Sequence, residues 1–222
     1  MRRETARRST WQALATVVLC GLAMSPATAV RADETTATWT GVERVVAFAD
    51  VHGAYEELTT LLRSAGVVDA GLRWSGGKAH VVSLGDLLDR GADSRKVMDL
   101  LMRLQGEAAA AGGRLHVVLG NHEAMNVLGD LRYVDPGEYA AYAAEEDTAE
   151  RAQAKAAFLG RQAGTTEADF ARLFPPGYFG HRRMLGPEGR YGQWLLQLPV
   201  AIKVNDTVYM HGGPSSGLGG RN

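Results

Sequence analysis

With 222 residues, 24 Lys and Arg against 25 Asp and Glu, and a formal net charge of -1, the chain can bury one sizeable core and nothing in its length demands a second. Basic residues that are scattered rather than striped leave no electrostatic footprint for nucleic acid, which is excluded as the expected partner. The only cysteine, Cys20, argues against a disulfide framework and against thiolate metal ligands.

The first 32 residues read as an export signal. Arg2, Arg3, Arg7 and Arg8 precede an apolar run from Ala13 to Met24, and small residues from Ser25 to Ala32 offer cleavage after Ala29 or Ala32. That run is too short to span a bilayer comfortably, so a secreted or periplasmic protein without a stable membrane anchor is expected. Thr10 stands where a twin-arginine signal has a large apolar residue, and Cys20 follows Leu19 inside the apolar run, which disfavours a lipid anchor. Cleavage removes the cysteine, so any metal must be held by nitrogen and oxygen.

A polar, Thr-rich leader is expected over 33–41, and the folded domain over 42–222. Arg44 to Phe48 is an apolar strand that stops at Ala49-Asp50-Val51-His52-Gly53. Leu58, Leu61, Leu62 and Ala65 then recur at helical spacing, closed by Gly66. A second strand, Val81 to Leu84, ends on Gly85-Asp86-Leu87-Leu88-Asp89-Arg90-Gly91. Val97, Leu100, Leu101 and Leu104 mark another helix between Ser94 and Ala111, and a third strand closes on Gly120-Asn121-His122-Glu123. Successive β-α steps of this kind predict an α/β fold with helices packed on the sheet.

Beyond Gly129 the pattern changes. Glu138 to Leu159 is rich in Ala, Glu, Lys and Arg, and aromatic and basic residues cluster from Phe170 to Tyr191, so 130–190 reads as a helical insertion, either a cap over the site or a surface helical pair. His181, beside Arg182 and Arg183, reads there as part of a solvated loop, with substrate binding as the alternative role. Pro199 to Met210 forms a hairpin turning at Asn205-Asp206, and its second strand delivers His211-Gly212-Gly213. His80 and His116 lie near strand starts, away from these loops, and read as structural.

Asp50, His52, Asp86, Asn121 and His211 all follow apolar strands, and the carboxyl ends of such strands are where open α/β sheets bind ligands. They are donors for borderline and hard cations, and Asp86 is the candidate bridge between two of them. Two such cations would activate a shared water and clamp a phosphoryl group. Asp-x-His alone would equally suit a helix cap at Asp50, but a cap explains neither Asp89 nor Arg90.

Together, Asp50-Val51-His52-Gly53, the Gly85 to Gly91 block, Gly120-Asn121-His122-Glu123 and His211-Gly212-Gly213 resemble the signature blocks of the calcineurin-like metallophosphoesterases, phosphoprotein phosphatase branch. Asn121 to Tyr133 is further similar to the bacterial Shewanella-like protein phosphatases. The resemblance implies a metallophosphoesterase sandwich, sheets flanked by helices, with two metal ions that could be Mn, Fe or Zn. Asp50 and His52 would hold the first and Asn121 and His211 the second, with Asp86 between them. It makes His122 the general acid, oriented by Asp89, and gives Arg90 with Asn121 the phosphate oxygens. Ala49 departs from the glycine usual in the family. The family also places a further histidine and arginine beyond His-Gly-Gly, where this chain offers only Arg221, so the C-terminal portion is expected to be missing.

The expected function is metal-dependent hydrolysis of phosphomonoesters, on a phosphoprotein or a small phosphoester. A dinucleoside polyphosphate hydrolase shares the motifs, although Glu123 fits the protein phosphatase branch better. A truncated metal- or phosphate-binding fragment without activity is the reading from another class.

Overall fold

The computed structural model describes residues 37–161, 164–215 and 217; the expected export signal and Arg221 lie outside them. Among the described residues, six strands form two three-stranded sheets. In one, β2 (Val45–Phe48), β3 (His80–Ser83) and β4 (Arg114–Val117) lie in that order, all parallel, with Val45 opposite His80 and His80 opposite Arg114. The other runs β1 (Thr38–Trp39), β5 (Ala201–Val204), β6 (Thr207–Met210), the β1–β5 pair parallel and β5–β6 a hairpin turned at Asn205, whose φ is 53°.

Alternation along β3 explains the layering. Val81 joins the core formed with Leu58 and Leu62 of α1 (Tyr55–Ser64) and Val97, Met98, Leu101 and Leu104 of α2 (Ser94–Ala110). Its neighbour Val82 joins Val118, Ile202 and Val204, in the core that the two sheets share. Successive side chains of a strand point to opposite faces, so β3 serves a helix layer on one side and the second sheet on the other. Burying each of these aliphatic side chains contributes roughly 1.5–3 kcal/mol.

The expected leader ends sooner than its composition suggests. Thr38 and Trp39 form β1, opposite Lys203 and Val204, and the Trp39 ring lies 4.3 Å from that of His116. Pairing with a strand far along the chain, together with partial burial of one indole, overrides the polar composition around it.

The stretch expected as an insertion is helical: α4 (Pro136–Ala140), a 3-10 turn (Ala143–Glu145), α5 (Thr148–Arg161), α6 (Glu167–Leu173), α7 (Tyr178–Leu185) and α8 (Arg190–Leu195). It is anchored along α2 through Ser94 Oγ to Glu138, Arg95 to Glu145, Tyr191 OH to Asp99 and Trp194 Nε1 to Gln105. α5 buries no residue fully, as a solvent-facing helix should, but Glu138 and His181 are fully buried and meet at 3.3 Å. The solvated loop expected for His181 is therefore a buried helical position in contact with Glu138, Tyr139 and Tyr142. Among the described residues no helix is long and apolar enough to cross a membrane.

Candidate metal centre and catalytic site

Because β2, β3 and β4 run parallel, their carboxyl ends deliver the loops after Phe48, Ser83 and Val117 to one edge of the sheet. The first two loops are zipped together: Asp50 N donates to Gly85 O at 3.3 Å, His52 N to Asp86 O at 2.9 Å and Gly53 N to Leu87 O at 2.8 Å. Of the seven described non-glycine residues with positive φ, five are Asp50, His52, Asp86, Asp89 and Arg90. Each such conformation costs roughly 1–3 kcal/mol and persists only where its surroundings enforce it. Gly85 shows how tight they are: its φ is 91°, and a Cβ there would lie 2.5 Å from Gly120 N.

Glu123 fastens the third loop to the second. It is fully buried and accepts from Asp86 N at 2.9 Å, Leu87 N at 2.7 Å and Gly120 N at 2.8 Å. Burial raises its pKa, while the three N–H donors pull it back. Sequence reading gave Glu123 no role beyond its place in the motif. Its signal was there, since a glutamate three residues into a helix is placed to accept from the N-cap amide.

Asp86 is the centre of the arrangement. One oxygen of its carboxylate lies 3.7 Å from His52 Nε2 and 3.8 Å from His122 Nε2, and the other lies 3.3 Å from His211 Nε2. Two potential cation sites share it: Asp86 with His52 and His122, and Asp86 with Asp50 and His211, the donor atoms of each set lying within 4.8 Å of one another. This grouping pairs Asp50 with His211 and His52 with His122, whereas the family resemblance pairs Asp50 with His52 and Asn121 with His211. Asn121 enters at 3.0 Å through Oδ1 to His211 Nε2.

The donor set fits cations. His52 Nδ1 donates to Leu88 O at 2.9 Å and His211 Nδ1 to Leu84 O at 2.8 Å, so in the neutral imidazoles both Nε2 atoms carry lone pairs. His211 Nε2, Asn121 Oδ1 and Asp86 Oδ1 thus bring acceptors together with no proton between them, an arrangement that a cation satisfies.

His122 and Asp89 form a second unit. Both are buried, and His122 Nδ1 donates to Asp89 Oδ2 at 2.6 Å. Asp89 Oδ1 accepts from Asn126 Nδ2 at 2.9 Å. The exposed Arg90 reaches back with Nη1 2.8 Å from His52 Nε2 and Nη2 3.3 Å from His122 Nε2. Its backbone N is held by Tyr133 O at 2.9 Å, and the half-exposed Tyr133 ring lies 5.2 Å from that of His122. All eight site residues named from sequence, Arg90 among them, therefore gather at this edge. Arg90, Asp50 and Asn121 face solvent, while Asp86, Asp89 and His122 lie beneath.

The calcineurin-like phosphoesterase family model matches residues 43–221. The chain belongs to that family. Among similar proteins, Shewanella-like protein phosphatase 2 of Arabidopsis thaliana is 46% identical over 92 residues, 41% of this chain and 24% of that protein. Shewanella-like protein phosphatase 1 of Plasmodium berghei is 26% identical over 175 residues, 79% of this chain and 40% of that protein. The solved cold-active protein-tyrosine phosphatase of a psychrophilic Shewanella species superposes with a TM-score of 0.58 at 33% identity, covering 82% of this chain and 46% of that one. The chain thus spans less than half the length of each of these relatives. The matches support the sheets-and-helices architecture expected from the motifs, and family membership implies divalent metal ions at the edge just described.

Proposed function

We propose that the chain is a metal-dependent phosphomonoesterase acting on phosphoproteins, with phosphotyrosyl side chains as its favoured substrate. The observation that carries this reading is Asp86, one buried carboxylate shared by two sets of cation donors. Two cations held by Asp50, His52, Asp86, Asn121 and His211 would polarise the phosphoryl oxygens and lower the pKa of the attacking water. The remaining work falls to the chain. Leu84 O and Leu88 O fix the tautomers of His211 and His52 so that Nε2 faces Asp86. Arg90 offers its guanidinium to two phosphate oxygens, a planar fork matched to them. His122, its Nδ1–H held by Asp89, carries a proton on Nε2 to the leaving oxygen as the ester bond breaks.

The phosphotyrosyl preference rests on the exposed Tyr133 ring beside His122, a face on which an aryl leaving group can pack, and on the likeness to a protein-tyrosine phosphatase. Manganese, iron and zinc all suit the donor set. The arginines before the apolar run of residues 13–24 support export to the periplasm or outside the cell.

The test is turnover of phosphotyrosyl peptides, phosphoseryl peptides and dinucleoside polyphosphates by the manganese-supplied chain, with metal content per chain measured alongside. Two metals and preferred release of phosphate from phosphotyrosine are expected. Exclusive cleavage of dinucleoside polyphosphates overturns the protein phosphatase reading. No turnover by a folded chain holding one metal or none makes it a catalytically incomplete fragment.

A further inference from the structure

Asn126 lies in the last turn of α3 (Asn121–Leu128), is fully buried, and spends both amide protons beside the proposed acid: Nδ2 donates to Asp89 Oδ1 at 2.9 Å and to His122 O at 3.0 Å. Both partners are acceptors, so the amide has only one chemically sensible orientation. Its own Oδ1 is then buried without a partner, which costs roughly 1–3 kcal/mol. An apolar side chain of similar volume would avoid that cost.

We infer that Asn126 is a positioning residue for the Asp89–His122 pair, an inference that rests on the phosphatase reading above. A carboxylate held through one oxygen can still rotate about its Cβ–Cγ bond. Asp89 is held through both, Oδ1 by Asn126 and Oδ2 by His122 Nδ1, so its plane and the imidazole's aim are fixed together. The choice of an amide also matters. Arg or Lys at this place would neutralise Asp89 and weaken its pull on the imidazole, whereas a neutral donor orients the carboxylate and leaves its charge to stabilise a protonated His122. The helix bearing Asn126 is in turn braced by the insertion: Arg182 Nη1 of α7 donates to Asn126 O at 2.5 Å, at the carboxyl end of α3, where a cation also meets the negative pole of the helix dipole. The general acid is thereby tied, through one asparagine, to a segment more than fifty residues further along.

The test combines leaving groups with spectroscopy. Nitrophenolate departs without a proton, whereas an alkoxide needs one. In Asn126→Leu, supplied with manganese, kcat on an alkyl phosphomonoester should fall about tenfold or more beyond any fall on p-nitrophenyl phosphate, with KM little changed. In the full chain loaded with diamagnetic zinc, the downfield proton resonance of His122 Nδ1–H should be present, and in Asn126→Leu it should shift or broaden away. Ser94→Ala, which removes a buried hydrogen bond to Glu138 within the insertion's anchor, should lower the melting temperature and move neither readout. Asn126→Ser, smaller and unable to reach Asp89, answers the question if the leucine variant does not fold. An unshifted downfield resonance in a folded Asn126 variant overturns the inference, as do equal rate losses on the two esters. If no ester is hydrolysed by any form, the phosphatase reading has failed, and the resonance alone decides the role of Asn126.

Discussion

The parallel sheet carries one pair of histidines in the loops at its carboxyl edge and another within strands β3 and β4, and the two pairs have opposite chemistry. At the carboxyl edge His52 and His122 stand with ring centroids 4.8 Å apart, each Nδ1 anchored to a carbonyl or carboxylate and each Nε2 turned toward Asp86. Toward the other edge His80 and His116 stand 5.0 Å apart, with His116 Nε2 3.1 Å from His80 Nδ1, packed against Trp39 and near Arg114. No carboxylate joins them in a potential cation site among the described residues. Burial and then the Arg114 charge lower the pKa of His80, and burial, His80 and Arg114 together bring that of His116 down to about 4. A buried histidine therefore becomes a ligand or acid through the group that fixes its Nδ1 and the anion that faces its Nε2.

The sharpest way to break this contrast is to remove the anion. Asp86→Asn keeps the shape of the side chain and deprives both sites of their shared charge. Metal content should drop below two per chain, and activity should fall by more than the roughly 10–100-fold that loss of an outer-shell partner costs a metal site. His80→Gln, at the far edge, should leave metal content and turnover unaltered. If Asp86→Asn retains both metals and normal rates, Asp86 is not the bridge.

A second comparison sets two glycines against each other. Gly85 and Gly77 both have positive φ, at 91° and 57°, but a Cβ on Gly85 meets Gly120 whereas one on Gly77 meets nothing within 4 Å. Gly77→Ala should cost about 1 kcal/mol, the backbone preference alone. Gly85→Ala should cost about 2–4 kcal/mol in urea unfolding and should separate Asp86 from the Asn121 loop. Equal losses would mean that the loops yield more readily than their spacing implies.

The carboxyl edge was the legible part of the molecule. Strands read as apolar runs whether buried throughout, as β3 is, or partly exposed, as β2 and β6 are, and a carboxylate, amide or histidine directly after such a run is conspicuous, so Asp50, Asp86, Asn121 and His211 could be found without a structure. The invisible features depend on partners distant in the chain. Strand β1 is two residues long and exists because of β5, more than 160 residues later. Glu138 and His181 hide in a segment whose composition is that of a solvated helix, and they are buried by partners distant in sequence: Ser94 of α2 for Glu138, Tyr139 and Tyr142 for His181, and each other. Asn126 reads as an unremarkable helix position until Asp89, 37 residues earlier, is found beside it.

The smallest predicted effect tests the neutral pair at the far edge. Burial first, then His80 and Arg114, bring the pKa of His116 down from the ordinary 6.5 to about 4 in the folded chain. Between those values the unfolded chain binds the proton more readily than the folded one. The contribution to stability is therefore complete above about pH 6.5 and is lost as pH falls toward 4, by roughly 1–3 kcal/mol. Urea unfolding across that window should show the decline, and His116→Gln should flatten it while lowering stability near neutrality slightly. An identical slope in His116→Gln would assign the acid sensitivity to the carboxylates of the opposite edge, and the contrast between the two histidine pairs would then lie in their partners alone and not in their protonation.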